Sequence, residues 1–124
     1  MKNETNKLLS KAADCLEDAH FGLRHERLNV AVNRAYYAMF DAVQAILQEN
    51  DIFTKTHQGA NIKFNEFFVK TGLIEKEIGK YLNQVFDMRQ SGDYDMDCEL
   101  GLDDAAFAVD CAEKFLAAVR KYLD

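Results

Sequence analysis

Nothing in this chain obliges a helix to break. Its 124 residues contain no proline and only six glycines. Proline removes a backbone donor and clashes with the preceding turn, and an interior glycine weakens a helix. Their scarcity predicts few turns and long uninterrupted helices. Apolar residues make up 48% and charged residues 29%, the balance of an ordinary folded, soluble protein. The length predicts one domain, residues 1–124, able to bury a single core.

Apolar periodicity predicts five helices. The first, over about 5–20, carries Leu8, Leu9, Ala12, Leu16 and Ala19 on one stripe, with Gly22 as its stop. The second runs over about 28–48. At ~100° per residue, Val32, Ala35, Tyr36, Met39, Phe40 and Val43 share a broad arc. Arg27, Arg34, Tyr37 and Asp41 collect opposite, which puts Tyr36 in the core and Tyr37 at the edge beside Arg34. Thr56 is the expected N-cap of a short third helix over about 57–70, ended by Thr71-Gly72. The fourth runs over about 74–90, with Ile74, Ile78, Leu82, Val85 and Phe86 on its apolar arc. Residues 91–102 read as an acidic loop. Asp103 and Asp104 then suit a helix start, and Ala105, Val109, Ala112, Phe115, Leu116, Val119 and Leu123 face inward from the fifth helix. The expected fold class is all-α: an up-and-down helical bundle of four long helices and one shorter one.

Several functional classes are excluded on chemical grounds. The N-terminus leads into no apolar run, and no stretch is long and apolar enough to cross a membrane, so neither a signal peptide nor a membrane partner is expected. Cys15, Cys98 and Cys111 are odd in number and have no CxxC spacing, which predicts reduced thiols and a cytoplasmic location. A net charge of −6 argues against a broad cationic surface for nucleic acid, so any RNA contact would be local. No nucleophile elbow, phosphate-cradling glycine loop or dinucleotide fingerprint is present, and no cofactor is expected.

No metal is expected either. The Asp93-x-Asp95-x-Asp97 spacing echoes a calcium loop, but position six is Cys98 and position twelve is Asp104, where glycine and glutamate are needed. It reads as a solvated acidic loop. His20, His25 and His57 lack the paired spacing of a zinc site. His20 and His25 read as structural or surface residues. His57 opens a helix after a polar loop, where its side chain can point into a cleft.

The least expected position is Arg89, which falls near the middle of the fourth helix's apolar arc, close to the expected helix end. A lone buried charge is very costly. Arg89 must therefore be paired, as with Asp93, or must face a ligand or a second subunit.

Together the motifs resemble one family. They are Asn33-Arg34-Ala35-Tyr36-Tyr37-Ala38-Met39-Phe40, Thr56-His57-Gln58-Gly59, Phe64 to Gly72, Arg89-x-x-Gly92-Asp93-Tyr94, and Asp104-Ala105 with Ala112-x-x-Phe115. In order and spacing they resemble the small stand-alone prokaryotic HEPN proteins, over nearly the whole chain. The resemblance implies a helical bundle that forms a homodimer with an arginine-lined cleft at the seam. It implies a link to metal-independent ribonucleases, whose motif is arginine, four to six residues, then histidine. It also implies a toxin–antitoxin or defence setting with a minimal nucleotidyltransferase as partner, which in some pairs adenylylates a tyrosine near that motif. Here Arg89 is followed by no histidine at that distance.

The expected function is therefore nucleotide or RNA binding alongside a nucleotidyltransferase partner. Arg34 and Arg89 would bind phosphate through their forked donors, Asp93 would hold Arg89, and Tyr37 and Tyr94 would stack on a base or hydrogen-bond to it. Two alternatives stand. One is a ribonuclease using Arg89 with His57 or Tyr94 as the acid/base. The other is a non-catalytic adaptor whose arginines form internal salt bridges.

Overall fold

The computed structural model describes residues 1–94 and 99–124, with the side chains of 92–94 excepted. Within them the chain forms five α-helices: α1 (Asn3–Arg24), α2 (Leu28–Glu49), α3 (His57–Phe64), α4 (Lys76–Tyr94) and α5 (Leu102–Leu123). The described residues contain no strand, so the all-α bundle stands.

Helix α2 is the axis of the bundle and touches α1, α3, α4 and α5. Its sequence explains this, because apolar or small residues extend around most of its circumference. Ala31, Val32, Ala35, Tyr36, Met39, Val43 and Ile46 are all within 1% of full burial. Between Ala31 and Glu49 no residue of α2 is exposed. Both sides of this helix are thus covered, wholly or in part, by its own neighbours.

Helix α1 runs further than the residues 5–20 expected from its stripe. Gly22 lies inside it, buried against the start of α2. A Cβ there would stand 3.1 Å from the Ala31 nitrogen and 3.3 Å from the Arg27 oxygen. The glycine thus permits a close helix crossing instead of stopping the helix. Thr5 is also fully buried, its hydroxyl donating to Glu49 Oε1 at 2.9 Å.

The third segment departs from a simple helix as well. Thr56 caps α3 as expected, its Oγ1 accepting from Gly59 N–H at 2.9 Å. After Phe64 the chain widens into a π-helical turn, Asn65–Val69, closed by Lys70 N–H to Asn65 O at 2.8 Å. The wider turn accommodates both Phe64 and Phe68 in the core, against Phe115 and Tyr122 of α5 respectively. Gly72, at φ +82°, then reverses the chain in a conformation that L side chains rarely adopt.

Helix α4 continues to Tyr94, past the end expected at about residue 90. Residues 91–94 are therefore helical, not part of a loop, and Arg89 sits more than a turn inside the helix. Helix α5 begins at Leu102, where the Asp104 carboxylate accepts from Gly101 N–H at 2.8 Å.

Candidate functional site: two arginines around a tyrosine

The helical repeat of α2 sets the site. Tyr36 and Phe40, four apart, turn inward, while Arg34, Tyr37 and Asp41 share the adjoining face. Tyr37 lies half-buried between two guanidinium groups. Arg34 Cζ is 5.1 Å from its ring centroid, and Arg89 Cζ, from α4, is 5.3 Å away. Both distances suit cation–π attraction. Arg89 also donates from a terminal nitrogen to Tyr37 Oη at 3.3 Å, and its Cζ lies 5.3 Å from the Tyr36 ring. Its place on the apolar arc is thus explained by aromatic faces instead of aliphatic packing.

His57 joins the same group. Its ring stacks on Phe40, with centroids 3.8 Å apart and planes at 16°. It meets Tyr37 edge-on at 6.2 Å. The Thr56 cap sets the start of α3 and so brings His57 to α2. Arg34, Arg89 and His57, from three helices, thus converge on one ring, Tyr37. The side chains of Asp93 and Tyr94, expected beside Arg89, lie outside the described residues, as do all of Asp95 to Cys98 and hence the carboxylates of the calcium-like spacing. Among the described residues no cluster of histidine, cysteine or acidic side chains is disposed to hold a metal ion.

Behind Arg34 lies a second group, centred on Asp41 from the side of α2 opposite its apolar arc. Asp41 is only 8% exposed, because α1 covers it. Cys15 donates its thiol to Asp41 Oδ2 at 3.7 Å, and Arg34 approaches Cys15 Sγ at 4.0 Å. Burial pushes the Asp41 carboxyl above its ordinary range, opposed by Lys11, Cys15, Arg34 and His57. Burial and the Asp41 charge together push the Cys15 thiol up, which makes it a poor nucleophile at neutral pH. Sequence spacing held no sign of this group, since the covering face belongs to another helix.

The family model described as "HEPN domain" matches residues 5–122. The chain belongs to the HEPN family. A UPF0332 protein of Thermotoga maritima is 39% identical over 98% of this chain and 96% of its own length. A Methanocaldococcus jannaschii protein named "Putative toxin MJ0142" is 34% identical over 98% of this chain and 83% of its own. A second from that organism, "Putative toxin MJ0605", is 28% identical over 99% and 91%. No helix among the described residues is long and apolar enough to cross a membrane.

Proposed function

We propose that this HEPN protein binds a phosphate-bearing ligand, RNA or nucleotide, through Arg34 and Arg89, in a toxin–antitoxin or defence system with a nucleotidyltransferase partner. The observation that carries this reading is the convergence of two guanidinium groups on Tyr37, within 5.1 and 5.3 Å of its ring, on a chain of net charge −6. An acidic protein that gathers cations at one point attracts anions locally and not along a broad face. Arginine's planar fork suits phosphate, and half-burial fixes its orientation. Tyr37 holds both guanidinium groups and offers a ring edge to a base. A homodimer in the cytoplasm, acting as a single folded unit over 1–124, completes the reading. Exposed Phe53, Phe67 and Phe107 offer apolar surface for a second subunit.

The test is titration of a short single-stranded RNA and of nucleotides against the wild type and Arg34→Ala. Binding that weakens by about tenfold in the variant, with an unchanged melt, supports the reading. Equal binding by both proteins removes it.

A second reading, metal-independent RNA cleavage, is favoured by one observation: His57 and Arg89 both contact Tyr37. An imidazole beside a guanidinium supplies a general acid/base and a phosphate clamp. Cleavage of RNA in the presence of chelator, abolished by His57→Ala, supports it. Intact RNA after prolonged incubation with purified protein removes it.

A further inference from the structure

Two stripes of amide side chains face one another beside the arginine–tyrosine group. Gln58, Asn61 and Asn65 recur at i, i+3 and i+7 along α3 and the π turn. Asn83, Phe86 and Gln90 recur at the same spacing along α4. All six line a pocket of about 940 Å³ between these elements. That is the size range of small-molecule sites, about 300–1,000 Å³.

We propose that this pocket is a nucleobase-binding site, in which the amides read the base edge and Phe86 packs against its ring. The inference rests on the proposed nucleotide or RNA binding and names the part of the ligand that this pocket takes. Its chemistry selects the class. Each amide offers a donor and an acceptor without charge, which matches the mixed donor–acceptor edge of a base. Glu66 and Lys70, the acidic and basic residues on the lining, are opposite in sign, so the pocket does not select a net charge. Phe86 and Ile62 supply apolar faces for a flat ring.

A second observation points to a ligand. Tyr36 is fully buried, and its hydroxyl meets the Asn61 side chain, yet neither that hydroxyl nor Asn61 Oδ1 completes a well-formed hydrogen bond. Buried polar groups are seldom left so. Tyr36 packs against Phe86, with ring centroids 5.5 Å apart, so its hydroxyl lies behind the pocket wall that Phe86 and Asn61 form. A donor–acceptor ligand at Asn61 lets that amide serve the buried groups and the ligand together. Arg89 lies over the Tyr36 ring and is flanked on α4 by Phe86 and Gln90. A base held here places its phosphate toward the arginines.

The experiment uses uncharged nucleosides, which separate this pocket from the phosphate-binding arginines. Adenosine, guanosine, cytidine, uridine and inorganic phosphate are titrated against the full-length protein by ligand-observed NMR and calorimetry. At least one nucleoside should bind. Asn61→Leu and Asn83→Leu should each weaken it by about fivefold or more, the effect of a lost hydrogen bond in a desolvated site. Arg89→Ala should change nucleoside affinity by less than about twofold, yet weaken the matching 5′-monophosphate by about tenfold. Asn83 is exposed, so its variant tests the pocket even if Asn61→Leu disturbs folding. No binding by any of the four nucleosides, or wild-type affinity in Asn83→Leu, overturns the inference. Loss of a dimer in Asn83→Leu without a nucleoside effect assigns the pocket to a second copy and also overturns it. RNA binding that persists without nucleoside binding overturns the pocket and leaves the proposed function standing. Nucleoside binding without RNA binding does the reverse.

Discussion

Asp41 illustrates how much a single covering helix changes a residue's chemistry. Its burial raises its pKa above the ordinary value of 3.8, so the folded chain holds that proton more tightly than the unfolded chain does. That contribution to stability is fully present below 3.8 and is lost as pH rises through the raised folded value. Asp41→Asn should therefore gain on the wild type as pH rises from about 4 to about 7. Melts of both proteins across that range read the effect, and parallel curves would contradict it. Tyr36→Phe should change stability by no more than about 1 kcal/mol, because its buried hydroxyl meets only the Asn61 side chain and completes no well-formed hydrogen bond. A loss above about 1 kcal/mol in denaturant titration would mean that the Tyr36–Asn61 contact is a full hydrogen bond in solution. At this scale the sequence was a partial guide. Arg89 stood out because a guanidinium interrupts an apolar arc, and Tyr37 was placed beside Arg34 by spacing alone. The contact of His57 with Tyr37 was not legible, since it depends on how α3 docks on α2. The burial of Asp41, on the side opposite the apolar arc, is not legible either, because a helical wheel contains no second helix.

Two elements took their form from contacts that no local pattern announces. Gly22 reads as a stop by residue type, yet it lies within α1 at a close crossing with the α2 backbone. Gly22→Ala gains up to about 1 kcal/mol of helix propensity and meets backbone atoms that cannot rotate away. The steric term should win, with a net loss of about 1 kcal/mol or more seen in denaturant titration. A variant as stable as the wild type would mean that the crossing can open without cost. The π turn at Asn65–Val69 was equally hidden, because its composition is that of an ordinary helix. The N-cap of α3 was visible, since a threonine ahead of a short helix has one obvious task. Thr56→Ala should cost about 1 kcal/mol, measured the same way. No change in stability would show that α3 is held by packing alone. Helix α4 outran its expected end because Gly92 and the acidic residues after it looked like a turn, yet nothing there forbids helical backbone.

For the whole molecule, the period of the apolar residues was enough to predict an all-α bundle, because each helix needs one buried face and α2 alone needs several. The order of the motifs carried the family, which the match over residues 5–122 bears out. What the sequence leaves to experiment is how copies and ligands meet. Light scattering at micromolar concentration should report a dimer of the 14.2 kDa chain, and a monomer across the range would remove the arginine-lined cleft expected at the subunit seam. The account turns most directly on Arg89. Anisotropy titration of a labelled single-stranded RNA, with melts on the same samples, should show binding weakened by about tenfold or more in Arg89→Ala at an unchanged melting temperature. Arg89→Lys should recover little, since a point charge cannot reproduce a planar fork. An Arg89→Ala protein that binds RNA no more weakly than the surface control Lys76→Ala, or that loses binding only by unfolding, would contradict the account.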